Sequence, residues 1–161
     1  MSFLWPIFND AIFDWQNTLE DLPQKTFFHC LVTLGNRDLF YSGGQDSPLG
    51  IHGDSYRYSM QHDRWDQMAN MLGVRGKHGC GRVTNSTTGK EEVVVAGGTM
   101  AMAGYHYLST SEIYTVEDNA WRQGPLLPTA LRGPASLPYE DSFLIVGGRQ
   151  ATTCLTSIYK V

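Results

Sequence analysis

The same landmarks recur three times along the chain in the same order, and this repetition constrains the fold more than any other feature. An apolar run closes each time on a glycine pair, at Gly43-Gly44, Gly97-Gly98 and Gly147-Gly148. Three further landmarks mark the rest of the period. They are an aromatic residue, a tryptophan seven positions later, and a basic residue ten or eleven positions after the tryptophan. Ordered repetition at about 50 residues predicts copies of one supersecondary unit that bury apolar faces against each other.

The aromatic and basic landmarks can be read directly from the sequence. The tryptophans are Trp15, Trp65 and Trp121, preceded by Phe8, Tyr58 and Tyr114 and followed by Lys25, Arg75 and Arg132. Tyr159 stands where the next aromatic of the series belongs. The apolar stretches are short, rich in Val, Ile, Tyr and Phe, and separated by Gly, Pro, Asn and Asp, which is typical of an all-β protein. The run before each glycine pair is continuously apolar, which predicts a strand buried on both faces.

These landmarks resemble the kelch repeat, in which an apolar strand ends in Gly-Gly and is followed by Tyr, Trp, Pro and Arg. Two positions depart from the pattern: Gly73 stands where Pro23 and Pro128 stand in the other repeats, and Ser136 replaces the cysteine. The resemblance implies an all-β fold of kelch-type β-propeller blades, each of four antiparallel strands. It also implies an incomplete ring of about three blades.

The resemblance divides the chain into four parts. Residues 1–22 are the last strands of a preceding blade, 23–68 the first repeat, 69–124 the second, and 125–161 a third repeat that lacks its outer strand. The implied strands are 3–9 and 13–19, then 26–33, 38–42, 55–60 and 64–67, then 77–84, 91–96, 111–116 and 120–123, and finally 133–137, 142–146 and 155–161. An open array leaves unpaired strand edges. Either the chain is a piece of a longer six-bladed protein, or copies of it associate through these edges to close a ring.

Composition excludes several functional classes. The net charge of −4 argues against a nucleic-acid partner held through phosphates. No stretch is long and apolar enough to span a membrane, and the N-terminus lacks the basic start of a secretory signal. We therefore expect a cytoplasmic protein, although Asn85-Ser86-Thr87 is a glycosylation sequon. The three cysteines are expected to be free thiols, with the Cα atoms of Cys30 and Cys80 beyond the roughly 7 Å limit for a disulfide.

No catalytic, metal or cofactor site is predicted. His29-Cys30 and His78-Gly79-Cys80 fall on the predicted innermost strands, but their spacing matches no recurrent zinc pattern. The glycine-rich segment 73–81 fits neither the phosphate loop nor the dinucleotide fingerprint and is interpreted as a loop and strand entry. The tyrosines and tryptophans are assigned to the core between blades.

The function is therefore sought on the surface. In proteins that resemble this one, partners dock on the face that here comprises loops 45–54, 70–77, 99–110, 124–133 and 149–154. The predicted partner-binding residues on these loops are Arg149, Tyr105, His106, Arg75, Arg132 and His52. Arginine and tyrosine are common interface anchors. For Arg75 and Arg132, a structural role in pairing with loop carbonyls is an equal alternative.

The sequence thus predicts a protein-interaction module that binds an acidic or phosphorylated protein segment. Substrate recognition for a ubiquitin-ligase adaptor is a narrower form of this hypothesis, based on the family resemblance alone. The alternative is an enzyme, or part of one, on the same scaffold, such as an oxidase or a sugar-metabolising propeller.

Overall fold

The computed structural model describes residues 19–47, 50–101 and 106–161, which form strands and loops and contain no helix. The strands are β1 Cys30–Thr33, β2 Leu39–Ser42, β3 Ser55–Ser59, β4 Arg64–Met68, β5 Gly79–Thr84, β6 Glu91–Ala96, β7 Ser111–Thr115, β8 Ala120–Gln123, β9 Ala135–Tyr139, β10 Ser142–Val146, β11 Arg149–Gln150, β12 Thr153–Cys154 and β13 Ile158–Lys160.

The strands form consecutive antiparallel blades. The first sheet has the order β1-β2-β3-β4 and the second β5-β6-β7-β8, while the third contains β13-β10-β9. A small hairpin of β11 and β12 accompanies the third sheet. The predicted all-β fold with four-stranded antiparallel blades and no closed ring is confirmed. The division into repeats by residue number stays a prediction, and the strands predicted at 3–9 and 13–19 lie, except for Leu19, outside the described residues.

The inner strands begin later than the sequence predicts. The first starts at Cys30 instead of residue 26, and that of the second blade at Gly79 instead of residue 77. Just before each start the chain passes through a left-handed conformation, with φ of 57° at Phe28 and 56° at Lys77. That conformation interrupts an extended strand. The Lys77 amide donates to the Phe28 carbonyl over 3.0 Å, which links the two blades at this point.

Strand β6 forms the centre of the core and is buried on both faces. Val93 and Val95 belong to the cluster that faces the first blade. Val94 and Ala96 belong to the cluster that faces the third. Successive strand residues point to opposite faces, so a strand between two neighbouring blades needs apolar residues at every position. The continuous apolar run therefore follows from the position of the strand.

The aromatic landmarks of the second blade fill the space between it and the first. The ring of Phe40 stacks on Tyr114 with centroids 4.5 Å apart, and Trp121 lies 5.2 Å from Tyr114. The Trp121 indole donates from Nε1 to the Ala69 carbonyl over 2.8 Å. Trp65 is only half-buried and donates to the Glu20 carbonyl over 3.3 Å. Trp121 is thus a core residue between blades, as predicted.

Each glycine pair lies where one blade meets the loop that enters the next. Gly98 has a φ of 95°, and a Cβ there would lie 2.6 Å from the Gly76 carbonyl oxygen. Both the backbone angle and the close approach require glycine. The Gly98 amide donates to the Leu131 carbonyl over 2.7 Å, as the Gly44 amide does to Arg75 over 2.8 Å. The glycines therefore allow the backbones of neighbouring blades to bond directly.

The expectation that all three cysteines are free thiols is wrong. Cys30 and Cys80 form a disulfide, and their Cα atoms are 6.1 Å apart. Cys30 pairs with Ser42 on its blade, whereas Gly79, not Cys80, pairs with the matching Ala96. Cys30 and Cys80 therefore differ by one residue in their position along equivalent strands. Because side chains alternate between the two faces of a strand, this difference makes the two cysteines face each other across the blade interface. Cys154 is free and exposed.

The described residues contain no helix long and apolar enough to cross a bilayer.

Candidate protein-binding face

The loops that enter each blade and the loops that follow each glycine pair lie on one face of the molecule. Within an antiparallel sheet, the connection between the second and third strands and the connection to the next blade leave from the same end. Isolated bridges join these loops, with Gly76 paired to Thr99 and Arg132 to Arg149. We call this surface the loop face.

A basin of about 430 Å³ opens on the loop face where the three inner strands begin. We call it the basic basin. Its lining residues are Phe28, His29, Lys77, His78, Arg132, Gly133, Pro134 and Arg149. Three of them are lysine or arginine, two are histidine, and none of these described lining residues is acidic. In a chain of net charge −4, this is a local concentration of positive charge.

Arg132 and Arg149 lie side by side in the basin because their backbones are hydrogen-bonded to each other. The Arg132 amide donates to the Arg149 carbonyl over 3.0 Å, and the Arg149 amide returns the bond over 2.9 Å. The guanidinium of Arg132 lies over the Tyr107 ring, 5.2 Å from its centroid, a cation–π arrangement that orients it. Arg149 is exposed and donates from Nε to the Ala151 carbonyl over 2.8 Å. Both predicted residues thus lie together, and the described residues accept no hydrogen bond from the terminal nitrogens of either guanidinium.

Arg75 lies in the interior instead. It is 2% exposed, and its guanidinium contacts the Gly97 carbonyl at 2.7 Å, the Thr110 carbonyl at 3.0 Å and Glu112 Oε1 at 2.9 Å. Glu112 Oε2 also accepts from the Leu72 amide over 2.7 Å. Of its two predicted roles, the structural one matches these contacts, because Arg75 and Glu112 fix the entry loop of the second blade.

Arg75 and Arg132 occupy positions that differ by one residue in the entry loops of their two blades. The Arg75 carbonyl accepts from Gly44, and the equivalent bond in the next blade is made to Leu131. Arg132 therefore occupies the position of Gly76, which the matching bridges to Thr99 and Arg149 also show. In locally extended backbone a shift of one residue turns the side chain to the opposite side. This is why one arginine is buried while the other lines the basin.

Lys77 is the third cation of the basin. Its Nζ lies over the Phe28 ring at 4.3 Å from the centroid. Burial, followed by the charge of Arg132, lowers the pKa of the Lys77 ammonium from its ordinary value. Two like charges that line one basin repel each other, and an anion between Lys77 and Arg132 would relieve that repulsion.

His29 and His78 occupy equivalent positions just before β1 and β5. Burial lowers the pKa of His29, and burial, with the charges of Arg75 and His29, lowers the pKa of His78 to about 3. Both rings are therefore neutral at pH 7. The His78 ring lies near the Arg75 backbone, but neither ring nitrogen completes a hydrogen bond with the described residues. Because both ring nitrogens of His78 are buried, the ring contributes to the base of the basin without presenting a donor or acceptor at its surface.

Two other predicted residues, His52 and His106, are described by the structure and do not line the basin. His52 lies on the first blade beside two carboxylates, with Nε2 3.3 Å from Asp46 and Nδ1 3.9 Å from Asp54. His106 is exposed. Tyr105 lies outside the described residues. The structure thus brings together Arg132 and Arg149 and separates them from Arg75 and His52.

The sequence interpretation did not single out Lys77, and it considered His29 and His78 only as metal candidates, whereas all three line the basin. The available signal for Lys77 was its position at the end of loop 70–77, which the sequence already assigns to the partner-binding face. In the part of the chain that the structure describes, no group of three or more His, Cys, Asp or Glu side chains could hold one metal ion.

Comparisons with known proteins agree on the architecture. No protein-family model matches the chain. Over 153 residues, 95% of the chain, it is 26% identical to Kelch-like protein 23 of Mus musculus and 25% identical to Kelch-like protein 23 of Homo sapiens. The aligned region is 26% of each relative, so the chain spans about a quarter of their length. The solved structure of YjhT, a kelch-type propeller, superposes with a TM-score of 0.68 at 17% identity, covering 83% of this chain and 42% of that one.

Proposed function

Because this chain belongs to the kelch-repeat family of β-propellers, we propose that it is a protein-interaction module that binds an acidic or phosphorylated segment of a partner protein in the basic basin. One observation carries the proposal: Lys77, Arg132 and Arg149 line a single basin that has no acidic described lining residue. A carboxylate or phosphate there would accept charge-assisted hydrogen bonds from guanidinium groups, which suit planar or multidentate anions.

The contacts support a preformed site. The Arg132 and Arg149 backbones are bonded to each other, and Arg75 with Glu112 holds the loop that leads to Lys77. Side chains held in place before binding lose less conformational entropy when a ligand arrives. The narrower role in a ubiquitin-ligase adaptor rests on the family resemblance alone.

The test is a fluorescence-anisotropy titration with a labelled Gly-Ser peptide that carries one phosphoserine, and with the same peptide carrying serine. We expect the phosphorylated form to bind more tightly and Arg149→Ala to remove most of the difference. Lys90→Ala is the matched control, because Lys90 is a cation at the opposite end of the blades, paired with Asp118 at 2.6 Å. Equal binding of both peptides, or an equal loss with Lys90→Ala, would contradict the proposal.

A second observation supports self-association. The third sheet contains three strands among the described residues, and Ile158 on its edge strand β13 is 63% exposed. We propose that copies of the chain associate through this edge, because an unpaired strand edge is a template for another strand. Sedimentation equilibrium should give a mass above 18.0 kDa for the wild type and a lower mass for Ile158→Lys. A monomer mass at every concentration would rule this out.

A further inference from the structure

An apolar notch lies beside the basic basin on the loop face. Its volume is about 270 Å³. The notch is lined by residues from the loops that enter the second and third blades and from the loop after Gly98. Its large apolar lining residues are Leu72, Val74, Met100, Leu108 and Leu126. Four of them are exposed: Leu72 to 59%, Val74 to 43%, Met100 to 50% and Leu126 to 70%.

These exposed side chains are not scattered. Single exposed apolar residues are ordinary, but several that converge on one concave surface mark a docking site. The entry loop that contributes Leu72 and Val74 is held rigidly, because Glu112 accepts from the Leu72 amide and pairs with Arg75. The side of the notch formed by Leu72 and Val74 is therefore held in place.

The notch and the basin are separate cavities formed by neighbouring segments of the loop face. The segment from Val74 to Lys77 runs from one to the other, and Leu108 of the notch is bridged to Leu131, the neighbour of Arg132. Val74 and Lys77 are three residues apart, so their Cα atoms are at most about 10 Å apart. An extended segment of a partner covers the same distance in about three residues.

We infer that the partner segment carries an aliphatic side chain within about three positions of its acidic or phosphorylated residue, and that this side chain occupies the notch. The inference rests on the proposed function and adds the second recognition element. The anion would fix the segment in the basin, and burial of the aliphatic group would select among anionic segments by their neighbouring sequence.

The probes are labelled Gly-Ser peptides with one phosphoserine and one leucine placed two, three or six positions from it, with a leucine-free phosphopeptide as reference. We expect leucine at two or three positions to tighten binding about tenfold, since burial of most of a leucine contributes at least that factor. Leucine six positions away should give no gain. Leu72→Ser and Met100→Ser should remove the gain and leave the leucine-free phosphopeptide unchanged.

Met60→Ser is the matched control, because Met60 is also 50% exposed but lies in the β3–β4 hairpin at the opposite end of the blades. Near-ultraviolet circular dichroism of each variant shows whether its fold is retained.

Binding that depends on the phosphate but not on leucine would overturn this inference and leave the proposed function standing. Binding that depends on leucine alone would overturn the proposed function, and with it this inference. If no peptide binds, both are overturned. A change in sedimentation mass with Met100→Ser alone would identify the notch as a self-association surface and also overturn the inference.

Discussion

Cys30 and Cys80 face each other across the interface between the first two blades and are joined by a disulfide, with their Cα atoms 6.1 Å apart. They are separated by 50 residues in sequence, so the bond closes a loop that contains almost a complete repeat. The same interface contains Phe40, Tyr114 and Trp121. The first two blades are therefore held together by both a covalent bond and an aromatic core.

Reduction of this disulfide should destabilise the chain. For a loop of 50 residues, the loss of chain entropy on cross-linking the unfolded state corresponds to about 4 kcal/mol. Urea unfolding with and without reductant should show a decrease of that order, and Cys80→Ser should show the same decrease without reductant. Cys154→Ser is the control and should leave stability unchanged, since Cys154 is exposed and unpaired. A chain equally stable in both redox states would contradict this prediction.

Trp121→Ala should lower the free energy of unfolding by about 3–5 kcal/mol, the usual cost of removing a buried aromatic side chain. Trp65→Ala should cost less, because Trp65 is half-buried in the described structure. Denaturant titration of both variants provides the comparison. An equal loss, or a loss below about 1 kcal/mol for Trp121→Ala, would show that the interface is not built as described.

Arg75→Ala and Arg149→Ala should affect different properties. Removal of Arg75 leaves Glu112 buried without its ion-pair partner, which should cost about 3–5 kcal/mol of stability. Arg149 is exposed, so Arg149→Ala should change stability by no more than about 0.5 kcal/mol. The same Arg149→Ala change should weaken phosphopeptide binding by about 2 kcal/mol or more, the range of an interface anchor. Thermal unfolding and peptide titration of both variants separate the two roles.

Stability should fall as the pH drops below about 6.5, in part because of His78. Burial lowers the folded-state pKa of His78 to about 3, whereas the unfolded chain titrates near the ordinary value of about 6.5. Between these values the unfolded state binds more protons, so the free energy of unfolding decreases with falling pH by up to about 1.4 kcal/mol per pH unit. Above pH 6.5 this contribution is constant. Urea unfolding at pH 7 and pH 5 should show a smaller decrease for His78→Gln than for the wild type, and equal decreases would contradict the assignment.

The affinity for a phosphopeptide should depend on salt concentration, because the cations of the basic basin are exposed or half-buried. Arg149 is exposed and Arg132 and Lys77 are half-buried, so added salt screens their attraction for an anion. Phosphopeptide affinity should therefore decrease steadily as sodium chloride is raised from about 50 to 500 mM, across which the Debye length falls from above 10 Å to below it. A binding curve that does not change over this range would show that the basin does not act through charge.

The sequence by itself determined the repeating unit. The Gly-Gly pairs, the tyrosines and tryptophans, and the apolar runs each have a local physical cause, and they predicted the blades and the central strands of each sheet. Strands β6, β8 and β10 have the predicted bounds. Burial of β6 on both faces could be predicted because every residue from Val93 to Ala96 is apolar.

The tertiary structure decided which side chains meet. Cys30 and Cys80 follow their tryptophans by the same number of residues, yet they are one position apart in the paired strands. Arg75 and Arg132 likewise mark the same point of the repeat, but Arg75 is buried and Arg132 lines the basin. Spacing along the chain does not fix this, because the loops between landmarks differ in length and conformation. A difference of one residue where a loop ends reverses the direction of the side chain, and only the pairing of neighbouring backbones sets where that loop ends.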